Sequence, residues 1–103
     1  MMIDYKIGQL VRSPVGTVLS VTVNVYVGDI TTELENGVSV NRYRRTSLAR
    51  TKTFTPDMVL TFLQIQKAIN KKLSDWVAAN QPTWGIISQQ TDVAGAPDIG
   101  GTL

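Results

Sequence analysis

Neither cysteine nor histidine occurs in this sequence of 103 residues. Without cysteine the chain can form no disulfide bond and no thiolate metal site. The two absences together also exclude Ser/His and Cys/His nucleophile systems and zinc sites built on imidazole. Only carboxylates, lysines, tyrosines and hydroxyls remain as catalytic groups, so we expect a protein that is not an enzyme and that holds no metal, cofactor or small-molecule substrate.

Long apolar runs are also missing. No stretch approaches the roughly 20 apolar residues that a membrane-spanning helix needs. Residues 1–6 lack the basic, apolar and small-residue regions of a signal peptide. We therefore expect a chain that is made in the cytoplasm and stays there unless it leaves within a larger particle.

Charge is unevenly distributed along the chain. Residues 42–72 contain eight basic residues against one acid, whereas the remainder contains two basic residues against seven acids. Such segregation can orient a protein in a repeating assembly or steer it to a charged partner. Two solvated faces of opposite charge would give the same pattern, and the sequence leaves both interpretations open.

The clearest structural pattern is a run of alternating apolar residues from Val15 to Val27. Its odd positions are mostly valine, and this period of two predicts a strand with the odd side chains buried. Ile3, Tyr5 and Ile7 alternate in the same way and predict a shorter first strand. Gly28-Asp29 has the chemistry of a turn that would close the long strand.

Asn36-Gly37 is the strongest hairpin signal in the chain, because both residues tolerate the positive φ of a type I′ turn. A two-residue loop fixes the register, so Glu35 should oppose Val38 and the pairs should continue to Asp29 opposite Arg44. One face then collects apolar side chains and is expected to point inward, while the other is charged. The expected inward set is Leu34, Ile30 and Tyr43, and the expected charged set is Asp29, Thr31, Glu33, Arg42 and Arg44.

Residues 45–54 are polar and predict an edge strand, after which Thr55-Pro56-Asp57 has the features of a helix start. Apolar residues then recur every three or four positions until Gln81-Pro82. The fold class is therefore α+β, with an antiparallel sheet of about four strands covered by one long or two short helices. A sandwich is an open alternative for the sheet. We expect one domain over residues 1–87, followed by an extended arm over residues 88–103 held by neighbouring chains.

Two polar clusters carry possible functions. Asn41-Arg42-Tyr43-Arg44-Arg45 and the helical lysines of residues 67–72 could contact nucleic acid, although alternate strand residues face opposite ways and form no single stacking platform. The acids of residues 29–35 could hold a hard cation, but they lack the spacing of a calcium loop. Both clusters are also compatible with a solvated or protein-facing edge.

The alternating strand Val18–Val27, the polar hairpin, the Phe54-Thr55-Pro56 segment before an amphipathic helical region and the short proline-bearing tail together resemble small structural or accessory proteins of tailed bacteriophages. The resemblance implies a virion component such as a capsid cement (decoration) protein or a minor tail component, bound to other virion subunits or to copies of itself. The alternative is a nucleic-acid-binding or regulatory module that uses residues 42–72. The residues expected to bind a partner lie on the polar edge and in the tail: Arg42, Arg44, Arg45, Arg50, Lys52, Trp84, Val93, Pro97, Ile99 and Leu103.

Overall fold

The computed structural model describes residues 1–87 and 92–103. Across these residues the elements are β1 (Met2–Arg12), β2 (Thr17–Glu35), β3 (Val38–Phe54), β4 (Met58–Val59), α1 (Phe62–Asn80) and β5 (Gly85–Ile86). The strands form one sheet in the order β3-β2-β1-β5, with β4 beside the start of β2. Its pairs are antiparallel except β1 with β5. The α+β class is confirmed, but the sheet has five strands and is mixed, and one helix covers it.

A bulge changes which side chains of β2 face the core. Val21 and Val25 are buried, as the alternation predicts. Leu19, however, is an extra residue in the pairing with β1, and it is 44 % exposed while Val18 is fully buried. The predicted inward positions of Leu19 and Val15 were wrong, because a bulge reverses the parity of the residues before it and Val15 lies in the preceding turn.

The helix begins later than the sequence indicated. Thr61 is its N-cap: the Thr61 hydroxyl accepts from the Gln64 backbone N–H at 3.1 Å, and the Gln64 side chain accepts from the Thr61 N–H at 2.9 Å. The predicted start at residues 55–57 was wrong, because Asp57 adopts a positive φ of 52° and β4 follows it. The helix ends at Asn80, immediately before Gln81-Pro82, and this end agrees with the prediction.

One face of the sheet and one stripe of α1 form a single core. The helix contributes Ile65, Ile69 and Leu73, all without exposed surface. Ile99 and Leu103 from the carboxy-terminal segment belong to the same cluster. The strand residues of this cluster are Ile3, Tyr5, Val18, Val21, Val23, Val25 and Phe54.

The hairpin of β2 and β3 is longer than the rest of the sheet. Pairing of β1 with β2 ends at Gly28, and from Asp29 to Arg44 the two long strands pair only with each other within the described residues. We call residues 29–44 the projecting hairpin; they help to make the molecule 52 Å long against 31 and 25 Å in the other directions. Gly28-Asp29 lies inside β2, so the predicted turn there was wrong.

Candidate functional site

The projecting hairpin has the register that the sequence predicts. Asn36 and Gly37 have φ values of 50° and 78°, as a type I′ turn requires. Every predicted pair is present, from Glu35 opposite Val38 to Asp29 opposite Arg44. The register could be predicted because a two-residue turn allows the flanking strands only one alignment.

The apolar side chains of the projecting hairpin do not point into a core. Leu34 is 76 % exposed, Val38 63 % and Ile30 48 %. The prediction that Leu34 and Ile30 face inward was wrong, because β1 stops before it could support this part of β2. The hairpin therefore presents uncovered apolar surface together with strand edges that pair with nothing in the described part of the chain.

The face of the hairpin opposite to Ile30 and Leu34 is a ladder of acids and arginines, and it also carries Val38. Arg42 Nε lies 3.3 Å from Glu33 Oε2, and Arg42 also bonds Glu35. Arg44 Nε donates to Glu33 at 3.0 Å. These side chains are at least one-third exposed, so each pair contributes at most about 1 kcal/mol to stability. The ladder therefore determines the charge pattern on this face but adds little to the stability of the hairpin.

The base of the hairpin is fixed to β1 through a buried carboxylate. Asp4 is only 6 % exposed. It accepts a 2.7 Å hydrogen bond from the Tyr43 hydroxyl and a 2.9 Å bond from Arg45 Nε, and the Arg45 guanidinium also lies 4.3 Å from the centre of the Tyr26 ring. Burial, followed by the hydrogen bond to Asp4, raises the pKa of Tyr43 well above its usual value, so the hydroxyl remains a donor. The anchor gives the hairpin a defined direction.

The described part of the carboxy-terminal arm lies on its own chain. Lys72 Nζ lies 3.3 Å from Asp98 and donates to the Gly101 carbonyl at 2.7 Å, while Lys67 lies 3.6 Å from Asp92. The Gly100 N–H and then Lys72 lower the pKa of the Asp98 carboxyl below its ordinary range. Residues 92–103 therefore make these contacts within their own chain. Residues 88–91, where the predicted arm begins, lie outside the described residues.

A groove of about 590 Å³ lies where this arm meets the helix and β3. Arg50 and Leu103, both predicted as partner-binding residues, come together here. The Arg50 guanidinium lies 5.2 Å from the centre of the Trp76 ring, and Trp84 packs beside Trp76 with ring centres 6.0 Å apart. The groove has a mixed lining, with charged and aromatic groups on the same wall.

The other predicted site residues are spread over the molecule. Arg42 and Arg44 share the charged face of the projecting hairpin, and Arg45 reaches Asp4 instead. Lys52 is exposed opposite Val23, and Val93 and Pro97 are half-buried. Ile99 and Leu103 are buried in the core, so contact with a partner would require the arm to leave its position.

Two features of the site escaped the sequence interpretation. One is the Asp4 anchor, for which the signal was a carboxylate between the buried positions Ile3 and Tyr5. The other is the projection of the hairpin beyond β1. It could have been inferred because the second strand is longer than the first and must extend past it.

Six of the eight cations of residues 42–72 are paired with acids; Arg50 and Lys52 are in no ion pair of the described residues. Lys67, Lys71 and Lys72 each lie beside a carboxylate, as do the arginines 42, 44 and 45. The described part of the chain also contains no group of three His, Cys, Asp or Glu residues close enough to hold a metal ion. In the hairpin, Glu33 and Glu35 meet arginines, and Asp29 lies 3.9 Å from the amino group of Met1.

Comparison with known proteins adds no further assignment. No protein-family model, curated protein or solved structure matches this chain. Among the described residues no helix has the length and apolar character needed to cross a membrane.

Proposed function

We propose that the chain is a non-enzymatic structural subunit of a viral particle, such as a capsid cement protein or a minor tail component of a bacteriophage. The observation that carries the proposal is the projecting hairpin, residues 29–44, which leaves the core and exposes Ile30, Leu34 and Val38. The resemblance in layout to small phage structural proteins points in the same direction.

The hairpin is costly for a protein that works alone. Exposed strand edges invite pairing with other chains, and natural proteins usually shorten, charge or cover them. Sixteen residues that extend past the core add little to its burial, whereas an edge of this kind binds a partner by adding a strand. A joining role in an assembly explains both the length of the hairpin and its exposed apolar side chains.

The anchor at Asp4 supports the same role. A joining element transmits a defined geometry only if its base is fixed, and Tyr43 and Arg45 fix it to β1 through hydrogen bonds to one buried carboxylate. The domain below the hairpin then serves as the body of the subunit, located in the virion after synthesis in the host cytoplasm.

A nucleic-acid-binding module has less support, because six of the eight cations of residues 42–72 already lie beside carboxylates. Binding carried by phosphate contacts falls steeply with salt. A DNA or RNA titration at rising salt is expected to find no such steep loss, and finding one would favour this alternative instead.

The proposal is tested by quantitative mass spectrometry of particles purified from the virus that encodes the chain. We expect the protein to remain with the particle through gradient purification and to be present in a fixed ratio to the major capsid protein. Loss of the protein during purification, or a copy number that varies between preparations, would count against a structural role.

A further inference from the structure

We propose that the projecting hairpin joins a second copy of this chain in a two-fold dimer, in which residues 38–44 of β3 pair antiparallel with the same residues of the other copy. This inference rests on the proposed assembly role, because it names the partner of the same hairpin. It is supported by the shape of the β3 edge, by the charges along it and by the room that the fold leaves for the second copy.

The outer edge of β3 is uneven along its length. β3 is the last strand of the sheet on one side, so among the described residues no strand pairs with its outer edge. Two bulges, at Thr46 and Ala49, interrupt its pairing with β2, whereas residues 38–44 pair with β2 without interruption. Bulges and charges protect a strand edge from pairing with other chains. Residues 38–44, which we call the straight segment, lack this protection and contain no proline.

The charges of the two halves of β3 differ in the same sense. Arg50 and Lys52 are in no ion pair of the described residues. Pairing of their half with itself about residue 51 would place one of these cations opposite the other, and like charges opposite each other are destabilising. Arg42 and Arg44, by contrast, already pair with glutamates of their own hairpin. The straight segment is therefore the half of the edge whose charge is compensated.

The straight segment pairs with itself along its whole length when Asn41 lies on the two-fold axis. Glu35 and Val38 flank the two-residue turn and exchange hydrogen bonds with each other, so alternate residues of β3 point their N–H and C=O groups outward. These outward residues are Ser39, Asn41 and Tyr43. In this register outward residues meet outward residues: Asn41 pairs with Asn41, and Ser39 pairs with Tyr43 of the other copy.

The same register separates the cations of the two copies. Arg42 lies opposite Val40 of the second copy and Arg44 lies opposite Val38, and these four side chains share one face because side chains alternate along a strand. The aliphatic stems of the arginines can then cover Val38, which is 63 % exposed in the single chain. Moving the axis by one residue would set Arg42 opposite Arg42, which is unfavourable.

The fold leaves room for the second copy. The two β3 strands run in opposite directions, so beyond Arg44 each one passes the Asn36-Gly37 turn of the other copy. Within each copy the strand order is β3-β2-β1, so β2 separates β1 from the contact. The two bodies therefore lie at opposite ends of the dimer, and a four-stranded sheet made of the two hairpins joins them.

The free edge of β2 is less suited to pairing with itself. With Thr32 on the axis, Glu35 would lie opposite Asp29 of the second copy, and with Glu33 on the axis that acid would lie opposite itself; both arrangements are destabilising. The amino group of Met1, 3.9 Å from Asp29, also lies at the end of this edge.

Single cysteines locate the contact, because the wild-type sequence has no cysteine. Asn41→Cys puts two thiols on the axis, where the Cα atoms of a hydrogen-bonded antiparallel pair lie about 5.5 Å apart, within the range of a disulfide. Thr32→Cys is the matched control: Thr32 lies opposite Asn41 in the hairpin, and three strand spacings of about 4.8 Å separate the two copies of it in the dimer. We expect Asn41→Cys to form covalent dimers on mild oxidation at least about tenfold faster than Thr32→Cys.

Sedimentation velocity tests the same contact without a cross-link. An edge that pairs with its own copy is isologous and closes as a dimer. We therefore expect the wild type to form dimers, and nothing larger, as its concentration rises. Asn41→Pro removes an outward N–H without removing a hydrogen bond of the hairpin itself and should be monomeric, whereas Asn41→Ala keeps the N–H and should dimerise. An unchanged far-ultraviolet circular dichroism spectrum would show that the proline variant is folded.

The inference is overturned if the wild type remains monomeric at every concentration or grows beyond a dimer. It is also overturned if Thr32→Cys cross-links as fast as Asn41→Cys, because the contact would then lie at β2. A monomeric wild type that remains with purified particles in a fixed ratio would reject this inference and leave the structural role intact. A dimer that purified particles lack would confirm the contact and count against the structural role.

Discussion

Replacing Gly28 with alanine is expected to destabilise the protein by about 3 kcal/mol or more. A Cβ atom at this position would lie 2.1 Å from the carbonyl oxygen of Arg44 and 2.9 Å from the Cα atom of Arg45. Both are backbone atoms of a bulge in β3 opposite Gly28, so neither can rotate away. Thermal unfolding should register a fall in Tm of about 10 °C or more.

Gly8→Ala is the matched control, because Gly8 also lies at a bulge, between Ile7 and Gln9 of β1. Its added Cβ would lie 2.8 Å from the side-chain amide nitrogen of Asn24, and the nearest backbone atom, the Thr22 carbonyl oxygen, is at an ordinary contact distance of 3.8 Å. A side chain can turn aside where a backbone carbonyl cannot, so the expected loss is below about 1 kcal/mol. Equal losses for the two variants would show that backbone crowding at Gly28 is not the cause.

Truncation of the buried arm residues is the second large effect. Ile99 and Leu103 are 4 % and 9 % exposed, and Leu103 lies among Ile3, Val25 and Leu73. We expect Ile99→Ala and Leu103→Ala each to lower the free energy of unfolding by about 2–4 kcal/mol, since each removes buried methyl groups and leaves a cavity. Denaturant unfolding with an unchanged slope would attribute the loss to stability alone.

Thr102→Ala is the control for the arm, because Thr102 is exposed beside Leu103. Its expected effect lies within about 0.5 kcal/mol of zero. If Ile99→Ala and Leu103→Ala were as mild as Thr102→Ala, the arm would not be part of the core in solution. That result would favour the expectation that neighbouring chains hold the arm.

Local chemistry explains what could be predicted from the sequence. The register of the projecting hairpin follows from one dipeptide, Asn36-Gly37, and all its pairs were right. The end of α1 follows from Pro82, which disfavours helical backbone at the residue before it. The edge position of β3 follows from its polar composition. Each of these inferences uses residues that are adjacent in the chain.

The remaining features depend on contacts between distant parts of the chain. The bulges at Leu19 and opposite Gly28 exist because β2 must match strands on both sides, and no short motif marks them. The exposure of Leu34 depends on where β1 ends, and an apolar pattern along one strand cannot reveal that its neighbour has stopped. The arm has a composition typical of disorder, yet two apolar residues and the acids that meet Lys67 and Lys72 place it on α1.

The joining role of the projecting hairpin is tested most directly by shortening it and measuring how much protein purified particles contain. Removing residues 32–35 and 38–41 joins Thr31 and Arg42 through Asn36-Gly37, and this keeps the alternation of hydrogen-bonded pairs and the Tyr43 contact with Asp4. We expect the shortened chain to unfold within a few degrees of the wild type, because the removed residues lie outside the core. Its content in purified particles should fall below the limit of detection, whereas incorporation at the wild-type level would contradict the proposed role of the hairpin.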